Sequence, residues 1–228
     1  MGPKVLIFDV DGTLAETEEI HRAAFDRAFA EDGLDWRWDV DLYRALLRVT
    51  GGKERIRARA DALGLDRAAL PDERIARLHA RKTEIYGATV RAGGCVLRPG
   101  VEALIRSAHA VGRRLAVVTT TSRPNVEALL AATLGADGPA LFAVTICGED
   151  VAAKKPAPDA YLLALERLGV AAAECLAFED SWNGLTAARA AGLATIVTPS
   201  LYTEGEDFTG AARVLPDLVG FDPDRPLD

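Results

Sequence analysis

The feature that most constrains the fold is a short apolar run that ends in two aspartates, VLIFDVDGT at residues 5–13. The run is too short and too rich in β-branched residues for a helix, so we predict a buried strand. A strand alternates its side chains between faces, which places Asp9 and Asp11 on one face. Two carboxylates so close repel each other when buried, and a divalent cation with oxygen ligands would offset that repulsion. An ordinary strand-to-turn exit, where Asp and Gly are common, is the alternative.

The chain after residue 98 alternates between short apolar runs and helical periodicity. This succession predicts a parallel sheet with helices on both faces and right-handed crossovers. Residues 15–93 show only helical patterns, with a breaker at 50–53. We therefore predict an α/β fold in which residues 1–14 and 94–228 form a Rossmann-like parallel sheet core and residues 15–93 form an inserted all-helical domain.

Composition argues against several classes of protein. A net charge of −7 and a pI near 5.1 disfavour a nucleic-acid-binding protein, which needs a basic face. The three cysteines are scattered, so we expect reduced thiols. No apolar run approaches the ~18 residues of a membrane span, and the first predicted strand begins almost at Met1, which leaves no room for a signal peptide. We expect a cytoplasmic monomer that binds neither nucleic acid nor a membrane.

Two further predicted strands end in polar residues, and open α/β sheets carry their sites at the carboxyl ends of strands. The strand at 175–178 ends in Glu179 and Asp180. The strand at 115–118 ends in four hydroxyl residues that would hold a phosphate just before a helix N-terminus: Thr119, Thr120, Thr121 and Ser122. Helix capping is the alternative at both strand ends.

A pair of lysines, Lys154 and Lys155, precedes the helix predicted at 158–168. Positive charge is unfavourable at a helix N-terminus, so helix stability does not explain the pair. Pro156 and Pro158 stiffen the segment and fix where Lys155 points. A solvated loop is the alternative.

The ordered series Asp-x-Asp-Gly-Thr, strand-Thr, Lys-Pro and Glu-Asp resembles the motifs of the haloacid-dehalogenase-like phosphotransferases. The resemblance implies that Asp9 is the nucleophile toward phosphorus and Asp11 the general acid and base. It implies that the transferred phosphate is held by Thr119, Thr120 and Lys155. It also implies a Mg²⁺ site made by Asp9, the backbone carbonyl of Asp11, and Asp180, with Glu179 close behind. A helical insertion directly after the first motif is, in this family, a cap domain that closes over the site.

Segments 155–159, 178–181 and 183–185 are similar to the branch of the family that contains β-phosphoglucomutases and CbbY-type sugar phosphatases. Segments 119–122 and 198–203 look CbbY-type. The resemblance implies hydrolysis of a small phosphorylated sugar, xylulose 1,5-bisphosphate, which inhibits the carbon-fixing carboxylase. A phosphomutase is one alternative, although Thr13 stands where those mutases tend to carry an apolar residue. A phosphatase of another small metabolite and a non-catalytic binding protein are the others, the latter disfavoured because every catalytic position is filled.

Candidate substrate-binding residues lie mainly in the helical insertion. Lys53 sits at a predicted helix start, a poor place for a cation unless an anion binds there. The full set of candidates for the sugar hydroxyls and the phosphate that is not transferred is Glu18, His21, Gly51, Gly52, Lys53, Arg81, Lys82, Thr121 and Ser122.

Several of these interpretations have plain alternatives. Solvated helix charge is the alternative for Arg81 and Lys82, and Glu18 would suit the helix dipole alone. We expect His79 and His109 to be structural. We expect the pKa of Asp11 to be raised by cap closure and nearby negative charge.

Overall fold

The computed structural model describes residues 2–226. Within that range it contains one six-stranded sheet, in the order β3-β2-β1-β4-β5-β6, and every neighbouring pair of strands is parallel. The strands are β1 (Val5–Phe8), β2 (Arg114–Val118), β3 (Val144–Ile146), β4 (Cys175–Glu179), β5 (Ala194–Val197) and β6 (Arg213–Val214). The predicted α/β fold with a Rossmann-like parallel sheet is confirmed.

The described residues also form eight α-helices. They are α1 (Glu18–Glu31), α2 (Val40–Leu46), α3 (Gly52–Ala62), α4 (Asp72–Arg91), α5 (Val101–Ala110), α6 (Arg123–Leu134), α7 (Asp159–Leu168) and α8 (Trp182–Ala190). No helix among residues 2–226 has the length and apolar character needed to cross a membrane.

Strand β1 lies at the centre of the sheet, between β2 and β4. Leu6 and Phe8 pack into the apolar cluster on one face, and Val5 and Ile7 pack into the cluster on the other. A strand buried on both faces needs an unbroken apolar run, which is what the sequence supplies. The central position of β1 brings the residues that follow it to the middle of the sheet's carboxyl edge.

The four helices that follow β1 pack around a third apolar cluster. Phe25 and Phe29 of α1, together with Trp38 and Tyr43, supply its aromatic side chains. This cluster is separate from the two clusters that cover the sheet, and all its buried members except Tyr202 lie in residues 25–78, so α1–α4 enclose an apolar core that is largely their own. We propose on this basis that residues 15–93 form a cap domain, and we refer to α1–α4 as the cap helices.

Among the elements that differ from the sequence predictions, two have a clear physical reason. Helix α8 begins at Trp182, whereas the periodicity predicts a start at 185, because the Ser181 hydroxyl accepts a hydrogen bond from the Gly184 N–H at 3.2 Å and caps the helix earlier. Strand β6 was not predicted, since it has only two residues and both are exposed. The three cysteines are unpaired thiols, as expected.

Candidate active site

A cavity of about 360 Å³ lies between the carboxyl edge of the sheet and the cap helices. It collects the predicted site residues from distant parts of the chain, with one exception, Arg81. Those that line it are Asp9, Asp11, Glu18, His21, Gly51, Gly52, Lys53, Lys82, Thr119, Thr120, Thr121, Ser122, Lys155 and Asp180.

The floor of the cavity is built around the ammonium group of Lys155. Its Nζ donates to Asp9 Oδ1 at 2.6 Å, to Glu179 Oε1 at 2.6 Å and to the carbonyl oxygen of Val118 at 2.8 Å. Burial alone would lower the pKa of Lys155, but the carboxylates of Asp9 and Glu179 raise it above its usual range. Lys155 is therefore a fixed cation beside the Asp9 carboxylate.

Three buried carboxylates meet at this floor. Oxygens of Asp9, Glu179 and Asp180 lie within 4.8 Å of one another. Burial and mutual repulsion raise the pKa of Asp9 and of Asp180 well above their usual range, in Asp9 against the opposing effect of Lys155. Glu179 Oε1 also accepts from the hydroxyl of Tyr161, a contact the sequence did not reveal, while Glu179 Oε2 has no partner among the described residues. One lysine against three carboxylates leaves negative charge uncompensated, so this set of oxygen donors fits a hard divalent cation.

The carboxylate of Asp11 faces the cap instead. Its Oδ1 accepts from Thr17 Oγ1 at 2.5 Å and from His21 Nε2 at 2.9 Å. His21 Nδ1 lies 2.6 Å from Lys82 Nζ, so the neutral ring accepts from the ammonium and donates to Asp11. Burial and the charge of Lys82 lower the pKa of His21, which favours that neutral form.

The charge state of Asp11 corrects a prediction. Burial alone would raise its pKa, but His21, Thr17 and Lys82 outweigh burial and lower the pKa to about 2. The expected raised pKa is therefore wrong for the protein without substrate, because hydrogen-bond donors from the cap stabilise the ionised form.

Arg81 and Lys82 are consecutive residues of α4, but their side chains lie in different environments. Lys82 is 5% exposed, and its ammonium lies 4.7 Å from the centre of the Phe25 ring. Burial lowers the pKa of Lys82 to about 7, against the raising effect of Asp11. Arg81 instead points to solvent and pairs with Glu31 and Glu84, so the structure contradicts its predicted place in the site. Consecutive helical residues differ by ~100° around the axis, which explains the separation.

The segment after β2 forms the wall beside Asp9. Thr119 is buried, and its Oγ1 accepts from the Thr121 N–H at 3.1 Å. The hydroxyl of Ser122 has no partner among the described residues. Gly148 lies so close that a Cβ there would be 2.2 Å from the carbonyl oxygen of Thr120. This glycine lets the neighbouring loop pack directly on the hydroxyl segment.

The cap side of the cavity is formed by the turn into α3. Gly51 has a φ of +93°, which only glycine adopts without strain, and α3 begins at Gly52. Lys53 is exposed at the cavity wall. His79 also lines the cavity, where burial and nearby lysines lower its pKa to about 3; its structural role stays a prediction. The sequence around Gly51 and Gly52 does not predict that His79 lies beside them, because His79 belongs to another helix.

Cap and core touch across the cavity. Thr50 Oγ1 donates to the backbone carbonyl of Lys155 at 2.5 Å, and Lys154 forms an ion pair with Glu54 of α3. These contacts cover the site, because each joins a cap residue to the segment that carries the buried lysine.

Fold, buried acidic cluster and cap together define a class of protein. Residues 3–192 match the haloacid dehalogenase-like hydrolase family, so the chain belongs to that family of hydrolases. The family predicted from the motif order is confirmed.

Individual members of the family show how similar their sequences and structures are to this chain. The chain is 54% identical to protein CbbY of Rhodobacter capsulatus over 215 residues, which cover 94% of this chain and 93% of the relative. It is 51% identical to the plasmid-encoded CbbY of Cupriavidus necator, with 98% and 88% covered. The crystal structure of CbbY from Rhodobacter sphaeroides in complex with phosphate superimposes with a TM-score of 0.90 at 50% identity, over 95% of each chain. A second structure, of a mutant of that protein, contains xylulose-(1,5)bisphosphate, again with a TM-score of 0.90.

Proposed function

We propose that the chain is a Mg²⁺-dependent sugar-phosphate phosphatase that acts on xylulose 1,5-bisphosphate through an aspartyl-phosphate intermediate. One observation carries the proposal: the Asp9 carboxylate lies 2.6 Å from the buried ammonium of Lys155, at the floor of a capped cavity that also contains Asp11 and Asp180. The likeness to a CbbY whose mutant binds xylulose-(1,5)bisphosphate supports this substrate.

The residues that would hold Mg²⁺ are Asp9, Asp180 and the backbone carbonyl of Asp11, with Glu179 directly behind. When bound, the ion neutralises the negative charge that phosphate and carboxylates bring together. The uncompensated charge of the buried carboxylates supports this assignment.

Asp9 acts as the nucleophile. Its carboxylate attacks phosphorus while Lys155 and the hydroxyls of Thr119 and Thr120 hold the transferred phosphate. The aspartyl-phosphate splits one difficult displacement into two easier ones. The hydrogen bond from Lys155 to Asp9 Oδ1 orients the carboxylate without a contribution from the cap.

Asp11 transfers the protons. In the first step it must donate a proton to the leaving sugar oxygen, and in the second it must take one from the attacking water. With a pKa of about 2, Asp11 is ionised in the protein without substrate and therefore suits the second step. The negative charge of the bound substrate would raise that pKa, so Asp11 would become protonated and could donate the proton needed in the first step.

The cap binds the rest of the substrate. Lys53, beside Gly51 and Gly52 at the start of α3, would hold the phosphate that is not transferred. Glu18, His21 and Lys82 also line the cavity and would contact the sugar hydroxyls.

Release of inorganic phosphate from a panel of sugar phosphates, with Mg²⁺ and with a chelator, tests the proposal. We expect release from xylulose 1,5-bisphosphate that exceeds release from ribulose 1,5-bisphosphate and that the chelator abolishes. Conversion of β-glucose 1-phosphate to glucose 6-phosphate without phosphate release would identify a mutase instead. No Mg²⁺-dependent release from any sugar phosphate would refute the proposal.

A further inference from the structure

The loop at residues 198–203, which follows β5, lies between the acidic cluster and the cap. We call it the 198–203 loop. Its C-terminal end contacts Asp180: Thr203 Oγ1 donates to the carbonyl oxygen of Asp180 at 2.7 Å and lies 3.4 Å from its Oδ2. The Ser200 N–H in turn donates to Thr203 Oγ1 at 2.9 Å. The loop therefore holds both the backbone and the carboxylate of Asp180.

The start of the 198–203 loop is fixed by Arg98. Its guanidinium donates to the carbonyl oxygens of Thr198 at 2.7 Å and Pro199 at 2.8 Å, and also to that of Gly12. A Cβ at Gly12 would lie 2.1 Å from Asp180 Oδ2 and 2.9 Å from the Cβ of Ser200. At Gly12 the loop and Asp180 thus pack so closely that there is no room for a side chain.

The same loop also enters the cap. Tyr202 is 3% exposed and packs within the apolar cluster of the cap helices, whose other members all lie in residues 25–78 of the described chain. Its ring meets Tyr43 edge-on, with ring centres 5.6 Å apart, and its hydroxyl donates to Glu19 of α1. The Arg44 guanidinium lies 5.6 Å from the centre of the same ring.

We infer that Tyr202 is a positioning residue that couples the seating of the cap to the placement of Asp180. Tyr202 and Thr203 are consecutive, so a Tyr202 side chain held in the cap cluster also fixes the backbone from which Thr203 reaches Asp180. The inference rests on the proposed function, in which Asp180 is a ligand of Mg²⁺. Because coupling between two events is reciprocal, Mg²⁺ binding also favours the seated cap.

Calorimetric titration of Mg²⁺ into the full-length protein without substrate tests this coupling. Tyr202→Ala should weaken Mg²⁺ binding about tenfold. This is roughly the effect of losing one hydrogen bond to a charged group, here the contact from Thr203 to Asp180. Tyr202→Phe, which keeps the ring in the cap cluster, should restore the affinity to within about threefold. Leu201→Ala is the matched control, because Leu201 is in the same loop but is 64% exposed, and it should bind Mg²⁺ like the wild type.

Equal Mg²⁺ affinity in the wild type and Tyr202→Ala would overturn the inference and leave Tyr202 as a packing residue of the cap. If Tyr202→Ala does not fold, Tyr202→Leu and Thr203→Val replace it, and unchanged affinity in both has the same meaning. The titration needs no substrate. A wild type that binds Mg²⁺ but releases no phosphate would therefore refute the proposed function alone.

Discussion

His21 Nε2 lies 2.9 Å from Asp11 Oδ1, and the other ring nitrogen of His21 lies 2.6 Å from Lys82 Nζ. Asp11 belongs to the loop after the central strand, whereas His21 and Lys82 belong to cap helices α1 and α4. The charge state of Asp11 is thus set by residues of the cap, and this arrangement leads to two predictions about pH.

The first prediction concerns the pKa of Asp11. We expect His21→Asn to raise it from about 2 toward its ordinary value, because the shorter amide cannot reach the carboxylate. NMR titration of the Asp11 carboxyl carbon measures the shift. A lowered pKa stabilises the fold above the unfolded value of 3.8, and this stabilisation is lost as the pH falls toward 2. The free energy of unfolding of the variant should therefore depend less on pH in that range.

The exposed histidine His109 supplies the control for this titration. His109→Asn should leave the pKa of Asp11 unchanged. An Asp11 that titrates alike in wild type and His21→Asn would show that Thr17 and Lys82 hold the carboxylate ionised without His21.

The second prediction concerns Lys82, whose pKa is lowered to about 7. Lys82 is charged below that pH and attracts the anionic substrate, and it loses its charge above it. We expect kcat/KM to fall as the pH rises through about 7. In Lys82→Met, kcat/KM at pH 6 should be about tenfold lower and should change little up to pH 8.

Arg81→Ala serves as the control on the same helix, because Arg81 pairs with exposed acids outside the cavity. Its pH profile should match that of the wild type. If kcat/KM of Lys82→Met still falls as the pH rises through about 7, a group other than Lys82 causes that fall.

The sequence identifies those parts of the site that depend on strand ends. Asp9 and Asp180 directly follow strands β1 and β4 of one parallel sheet, and such strands bring their carboxyl ends to one edge. Lys155 lies in a loop away from any strand end, so only the order of the motifs and the family resemblance grouped it with them.

Contacts that depend on how the cap helices pack cannot be predicted from strand ends or motif order. Whether Arg81 or Lys82 faces the cavity depends on the rotation of α4 against α1, which no local pattern fixes. The sequence around Tyr202 indicates an ordinary loop. Tyr202 is buried because α1 and α2 lie beside the 198–203 loop. The pKa of Asp11 was mispredicted for the same reason, since its hydrogen-bond donors include His21 of the cap.

The third prediction concerns the balance of stability and function at Asp180. Its pKa is raised by burial and by the neighbouring Asp9 and Glu179, so the ionised carboxylate destabilises the metal-free fold at neutral pH. Asp180→Asn should therefore raise the free energy of unfolding by about 0.5–2 kcal/mol without Mg²⁺ and abolish the stabilisation that Mg²⁺ confers. Denaturant unfolding with and without Mg²⁺ measures both effects. A less stable variant, or one that Mg²⁺ still stabilises, would argue against a repulsive metal site.

The fourth prediction tests the nucleophile. We expect Asp9→Asn to lower kcat by about 10³-fold or more, because an amide cannot form the aspartyl-phosphate. Far-UV circular dichroism should show an unchanged fold. Activity above this level in purified Asp9→Asn would rule out Asp9 as the nucleophile.

The fifth prediction concerns the phosphate that is not transferred. Lys53 is exposed at the cavity wall, near the start of α3, where its ammonium and the first backbone N–H groups of the helix would meet the same anion. A charge-assisted contact contributes about 1.5–3 kcal/mol, or roughly ten- to a hundredfold in kcat/KM. Lys53→Ala should therefore lower kcat/KM for xylulose 1,5-bisphosphate by that factor and leave kcat/KM for p-nitrophenyl phosphate within about twofold.

The ratio of the two kcat/KM values separates this role from a general effect on the cap. Both substrates need Asp9 and Lys155, but only the bisphosphate has a second anion to place against α3. Arg81→Ala removes a cation from the outer face of the cap and should leave the ratio unchanged. If Lys53→Ala lowers kcat/KM equally for both substrates, Lys53 serves the fold or the seating of the cap, and the second phosphate must be bound by another cation at the cavity, such as Arg55, Lys82 or Lys154.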